Sequence, residues 1–172
     1  MQFLSCDWGT SNFRLRSVES KTLEIIKEVI LPEGIASTFS AWKKLQLPES
    51  QRISFYKKTL QKAIDRLGPL GQVPLPLILS GMASSSLGLL ELPYRKFPFG
   101  LHAGELKFAF IEADDNLANP IYLISGACTE NDIMRGEETI LLGCAGEEKE
   151  TGTYIFPGTH SKHVFVQDSK AI

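Results

Sequence analysis

The sequence predicts an α/β domain: a mixed five-stranded sheet flanked by helices. Three observations carry that reading. Five runs rich in β-branched and large apolar residues, at 1–6, 13–18, 23–31, 75–79 and 121–125, are each bounded by Gly, Pro, Asn, Asp or Ser. Residues 49–67 instead repeat apolar side chains at helical spacing. The resulting order, β-β-β-α-β-(insert)-β-α-β-β, calls for a sheet with helices packed on it.

The first three runs read as a meander, with Ser20-Lys21 as its second turn. Pro32-Glu33-Gly34 ends the third strand, since Pro lacks a ladder donor and Gly permits a sharp bend. A short helix over 39–45 follows. The clearer helix over 49–67 carries Ile53, Tyr56, Leu60, Ile64 and Leu67 on one face, is capped at or near Ser50, and is stopped by Gly68-Pro69. The strand 75–79 feeds Ser80-Gly81-Met82. The long segment 83–119 carries turn signals and one short hairpin around 96–111, with Phe97, Phe99, Phe108 and Phe110 expected in the core. After the strand 121–125, Gly136-Glu137-Glu138 opens a helix over 139–145, where acidic residues complement the helix dipole. A charged link, 146–152, leads to a hairpin with strands 153–156 and 164–166. A hairpin is not stable alone, so the division reads as one domain over 1–148 and the opening of a truncated second over 149–172.

A length of 172 residues is enough to bury a sizeable core. The formal net charge of −2 argues against general nucleic-acid binding, and Lys43-Lys44 and Lys57-Lys58 read as solvated helix faces. No apolar run reaches the roughly 18 residues needed to span a bilayer, and no signal peptide is visible. Three widely spaced cysteines, Cys6, Cys128 and Cys144, fit neither a disulfide framework nor a zinc ribbon and suit a reducing cytoplasm. Cys128 reads as a small buried apolar residue.

Two short motifs carry chemistry. Asp7-Trp8-Gly9-Thr10-Ser11-Asn12 joins the first two strands. Gly9 lets a ligand approach closely. Thr10, Ser11 and Asn12 supply donors for phosphate oxygens. Asp7 suits magnesium, held directly or through water. An ordinary hairpin turn has a similar composition. The second motif, Pro157-Gly158-Thr159-His160-Ser161-Lys162, repeats the strand, Gly-Thr-x-Ser turn, strand design. Two such turns suggest two phosphate clamps facing one another across a cleft. Neither is a P-loop or a dinucleotide fingerprint. His160 and His163, three apart on a strand, point to opposite faces and make a poor zinc pair.

Taken in order, these motifs together with Arg14, Ser80-Gly81-Met82, Glu91-Leu92-Pro93-Tyr94 and Met134-Arg135-Gly136-Glu137-Glu138-Thr139 resemble the 2-dehydro-3-deoxygalactonokinases, sugar-acid kinases of the actin-like ATPase superfamily, over essentially the whole chain. The resemblance implies a ribonuclease-H-like domain. It implies transfer of the ATP γ-phosphoryl group to a hydroxyl of 2-dehydro-3-deoxygalactonate or a close relative, with Mg2+ at Asp7. Gly9, Thr10, Ser11 and Asn12 would form the first phosphate loop, and Gly158, Thr159, Ser161 and Lys162 the second. Family members are longer, and their C-terminal half supplies the adenosine pocket, so this chain is expected to be inactive alone. Related kinases place the proton-accepting acid at the start of the helix before the second phosphate hairpin. Glu137 is the first choice, with Glu138 and Asp132 as alternatives and dipole capping as the non-catalytic role for both glutamates. Arg135 would clamp the substrate carboxylate, or form only a surface ion pair. Glu91 and Tyr94 would line the sugar pocket, or anchor a loop. Where the family carries Gly-Ser-Arg-Gln-Gly-Trp, this chain has Ser84-Ser85-Ser86-Leu87-Gly88-Leu89. Ser84 and Ser85 are substrate candidates there, but an Arg able to bind carboxylate bidentately is lost. The rival reading is a non-catalytic sugar-acid or phosphate-binding module of the same fold. Partners are expected to be small molecules, with neither nucleic acid nor membrane, and an exposed apolar cleft face would favour a homodimer.

Overall fold

The computed structural model describes residues 1–102, 104–144, 151–158 and 161–172. Thr159 and His160, and the domain boundary expected between 148 and 149, lie outside the described residues. The elements run β1 (Gln2–Trp8), β2 (Phe13–Glu19), β3 (Ile25–Leu31), α1 (Ile35–Lys44), α2 (Arg52–Leu67), β4 (Leu77–Gly81), β5 (Arg95–Lys96), β6 (Phe99–Gly100), β7 (Phe108–Ile111), β8 (Ile121–Ile124), β9 (Ala127–Cys128), β10 (Ile133–Met134), α3 (Glu137–Cys144), β11 (Gly152–Phe156), β12 (Lys162–Gln167) and β13 (Lys170–Ala171).

The main sheet has six strands, not the expected five, in the order β3-β2-β1-β4-β8-β7. The meander β1-β2-β3 is antiparallel, β1 pairs parallel with β4, and β4 pairs parallel with β8. The added strand is β7, which lies antiparallel on β8 instead of forming a local hairpin. Four apolar residues bracketed by polar ones do not name their partner; the free edge of β8 does.

Period-two alternation places Leu4, Cys6, Trp8, Leu15, Leu77, Leu79 and Leu123 on one face, where they pack with Tyr56, Leu60, Ala63, Ile64 and Leu67 of α2. The opposite face explains a second correction. Phe108 and Phe110 are 62% and 52% exposed there, with Tyr122 between them, whereas Phe99 is buried as expected. Cys128 is half-buried.

Neither of the two longer helices begins at a side-chain cap. α1 starts four residues earlier than expected, because the amides of Ile35 and Ala36 donate to the carbonyls of Gly9 and Thr10 (2.9 and 3.1 Å). α2 has no side-chain cap at Ser50; a 3-10 turn over Glu49–Gln51 leads into it. Gly68, at φ 74°, ends it as expected.

Lys57 is not a solvated lysine. It is 3% exposed, and its ammonium donates to the Glu112 carbonyl (2.6 Å) and to Asp114 (2.8 Å). That contact pins the loop after β7 to α2 and holds the Asp114 carboxyl below the usual range.

A second sheet, β11-β12-β13-β6, pairs the last hairpin with Phe99–Gly100 of the insert. Its apolar face (Phe99, Val164, Val166, Ala171) meets Ala127, Met134 and Leu141 in a second small core. The hairpin is therefore supported by the insert and α3. No described helix is long and apolar enough to cross a membrane.

Replacing Lys57 by Ala removes the donor that ties the Glu112 carbonyl and Asp114 to α2. The expected loss is about 1–3 kcal/mol, read as a lower urea midpoint with an unchanged denaturant slope.

Candidate active site

The first turn is built by local and distant contacts together. The Gly9 amide donates to the Asn12 carbonyl at 2.9 Å, closing the bend between β1 and β2. Thr10, Ser11 and Asn12 are left exposed beyond it. The N-terminus of α1 presses against the bend from behind. A Cβ at Gly34 would lie 2.3 Å from the Thr10 carbonyl oxygen and 2.5 Å from the Ser11 nitrogen, so only glycine fits this approach. That requirement escaped the sequence reading, which took Gly34 as a strand terminator.

Asp7 stands at the C-terminal end of β1. Parallel pairing sets Asp7 opposite Ser80 and Trp8 opposite Gly81 at the end of β4. The bend before α3 completes the cluster: Gly136 has φ 106°, and a Cβ there would lie 3.6 Å from the Gly81 Cα and 3.8 Å from Asp7 Oδ1. Two strand ends and one helix start thus meet around Asp7. Its carboxylate opens to solvent, yet the surrounding protein raises its pKa by desolvation, opposed by the charges of Arg14 and Arg16.

Glu137 and Glu138 both fold back on the amides that precede α3, in different surroundings. Glu137 accepts from the Arg135 amide (2.9 Å) and is half-buried. Glu138 is 1% exposed, and both its oxygens lie 2.8 Å from the Gly136 amide. The Thr139 hydroxyl donates to it at 3.3 Å. Burial pushes the Glu138 carboxyl up to about 7, partly opposed by these hydrogen bonds, with the Glu137 charge adding to the rise.

A polar cleft of about 520 Å³ joins the sequence motifs. Gly9 and Thr10 line it together with Gly158 and Lys162, and with Met82, Arg135 and Glu137. Lys162 is ion-paired with Asp132, whose Oδ1 also accepts from the Ile133 amide (2.8 Å). Ser11, Asn12 and Ser161 are exposed but outside this lining, and Glu138 lies beneath it. Thr159 is outside the described residues.

Arg135 lies over the Tyr94 ring, 4.7 Å from its centroid, and its Nη1 reaches the Met82 sulfur at 3.7 Å. Burial lowers its pKa, countered by the charges of Glu91 and Glu138; a guanidinium stays charged regardless. Arg135 Nε and the Tyr94 hydroxyl are buried with no partner among the described residues. Ser84 and Ser85 are buried, and their hydroxyls donate to the Gly81 and Met82 carbonyls (3.4 and 2.7 Å), so they shape the loop instead of facing the cleft. Arg52 and Tyr56 of α2 hold that loop by its Ser86, Leu87 and Gly88 carbonyls. Sequence spacing had placed Tyr56 on the core face and given Arg52 no role.

The donor set around Asp7 is hard oxygen, and no group of three or more His, Cys, Asp or Glu able to hold a metal occurs among the described residues. One open carboxylate beside hydroxyl-bearing residues fits a largely hydrated Mg2+ and not a zinc cage.

The chain matches the family model described as 2-keto-3-deoxy-galactonokinase over residues 7–171. It is 29% identical over 180 residues to the probable 2-dehydro-3-deoxygalactonokinase DgoK1 of Rhizobium meliloti (strain 1021), covering 98% of this chain and 50% of that protein. A crystal structure of a Sinorhizobium meliloti protein assigned as a 2-dehydro-3-deoxygalactonokinase superposes with a TM-score of 0.74 at 27% identity, covering 98% of this chain and 51% of that one. The chain therefore spans about half the length of these relatives.

Two outcomes follow from this geometry. The folded Glu138 titrates at about 7 against an ordinary value of 4.5, so folding favours its protonated form. Its contribution is fully present below the unfolded value and is lost as pH rises through 7, on the order of 3 kcal/mol. Thermal unfolding midpoints should fall across that window, and Glu138→Gln should flatten this part of the profile. Gly34→Ala should destabilise by about 1–3 kcal/mol through overpacking, and NMR should show the largest shifts at the amides of 9–12.

Proposed function

This chain belongs to the 2-keto-3-deoxy-galactonokinase family, and we propose on that footing that it forms the N-terminal part of an ATP-dependent kinase acting on 2-dehydro-3-deoxygalactonate or a close sugar acid. The single observation that carries the reading is the shared cleft: Gly9 and Thr10 of the first turn line one cavity with Gly158, Lys162, Arg135 and Glu137. The relatives of the same family name support the reaction class.

On this reading the six-stranded sheet is a ribonuclease-H-like core of actin-like ATPase type. The run β3-β2-β1-β4-β8, with β2 alone antiparallel to the rest, supports it. The hairpin from 149 onward opens the second domain. The enzyme works in the cytoplasm.

Each residue then has a task. The amides and hydroxyls of 9–12 and 158–161 hold phosphate oxygens, and Lys162, steadied by Asp132, adds positive charge. Asp7 holds Mg2+ through its water shell; when bound, the ion neutralises charge on the transferring phosphoryl group. Arg135, braced on Tyr94, takes the substrate carboxylate with its fork of donors. This reassigns to the α3 bend the carboxylate recognition that the 84–89 loop cannot supply, while Glu91 sets the charge behind the guanidinium. Glu137, in the cleft, accepts the proton of the attacking hydroxyl. Glu138 is enclosed and Asp132 is engaged with Lys162, which leaves Glu137 as the base.

In the full-length enzyme, Glu137→Gln should lower kcat by about 10²–10⁴-fold while the KM for sugar acid changes little. Retention of kcat would remove Glu137 as the base. Arg135→Lys should instead raise the KM for the sugar acid and leave that for ATP unchanged.

A further inference from the structure

The mechanism above leaves the buried carboxyl of Glu138 without a task. Glu138 lies under the cleft, 1% exposed, and cannot meet a substrate hydroxyl. Its carboxylate nevertheless occupies an unusual place. Both oxygens converge on one amide, that of Gly136, at 2.8 Å each. Gly136 is the residue whose Cα faces Gly81 and Asp7, at a backbone angle, φ 106°, that needs glycine. The same bend carries Arg135 and Glu137, both of which line the cleft. A single enclosed carboxylate therefore sits behind the one bend that brings the end of β1, the end of β4 and the start of α3 together.

Resting on the kinase reading, we infer that Glu138 is a positioning residue: its ionised carboxylate grips the Gly136 amide and so sets the places of Asp7 and Glu137 without touching substrate. A dipole cap alone does not account for the arrangement. Capping does not need full burial, as the half-buried Glu137 shows at the Arg135 amide. A carboxylate held away from water lowers stability unless it is fully paired, and the charges facing this one are mixed: Arg135 attracts, and Glu137 on its own helix repels. A neutral residue would fold more stably here. A carboxyl that ionises only at a stability cost, beside a cleft, is the pattern of a group kept for function. The ionised form accepts from the Gly136 amide and the Thr139 hydroxyl together; the protonated form turns one oxygen into a donor and loosens the grip.

The two roles separate in the behaviour of the Gly136 amide. In the 15N-labelled 172-residue chain, its proton resonance is followed from pH 5 to 9, a measurement that needs no variant. The expected result is a shift with a midpoint near that of Glu138, about 7, downfield at high pH. In Glu138→Gln the titration should vanish and Gly136 exchange should quicken by about tenfold, the counterpart of losing a charge-assisted hydrogen bond. The variant should unfold at a higher temperature at pH 8, so local loosening and global stabilisation oppose one another. A merely structural residue would lose both together. Mn2+, a paramagnetic stand-in for Mg2+, should broaden the amides around Asp7 in the parent chain and do so several-fold more weakly in Glu138→Gln. A Gly136 resonance flat with pH, or equal Mn2+ broadening in the two proteins, overturns the inference. If the parent chain binds no Mn2+, the metal role of Asp7 fails, and the Gly136 titration still decides the role of Glu138.

Discussion

The parallel pairing of β1 with β4 is the constraint on which the site depends. It brings Asp7 and Trp8, at the end of one strand, beside Ser80 and Gly81, at the end of another 73 residues further along the chain. Parallel strands deliver their carboxyl ends to the same edge of a sheet, and open sheets bind ligands outside those ends. The turn from β1 to β2, the loop after β4 and the bend before α3 therefore have no other place to meet. The apolar side chains that α2 covers, among them Leu4, Leu79 and Trp8, fix this register: a one-residue slip would turn Asp7 into the core and Trp8 into water.

Around that edge the protein uses backbone more than side chains. Carbonyls of the first turn satisfy the first amides of α1, Gly34 lets the helix approach, and Gly136 lets the last bend reach Asp7. Such contacts hold a bend without filling it, which leaves its outward amides and hydroxyls available to a ligand. Charges are placed with the same economy. Lys162 is steadied by Asp132, and Arg135 by the Tyr94 ring, so each cation is oriented before any anion arrives.

Much of this was legible in the sequence because the signals were local. Strand alternation, the helical face of α2, the Gly68 stop and the small polar turn at 9–12 each follow from a few neighbouring residues. The parts that differed depend on partners distant in the chain. β7 needs the edge of β8, and α1 needs two carbonyls from the first turn. Lys57 is buried because the 112–114 loop folds onto it, which nothing in its own helix announces. The candidate site divided along the same line. That Gly9, Thr10, Gly158 and Lys162 belong to one cleft was readable from residue type and spacing. Which of two adjacent glutamates faces the cleft was not, because Glu137 and Glu138 differ only in the side of α3 that the second core covers.

The central claim is that the two turns grip one phosphate chain. It is tested most directly by titrating the 15N-labelled chain with magnesium tripolyphosphate, which carries the phosphates of the nucleotide without its base. The account predicts that amides of 9–12 and of 158–162 shift together along one binding curve. Perturbation confined to one turn, or two curves with unrelated midpoints, would contradict it.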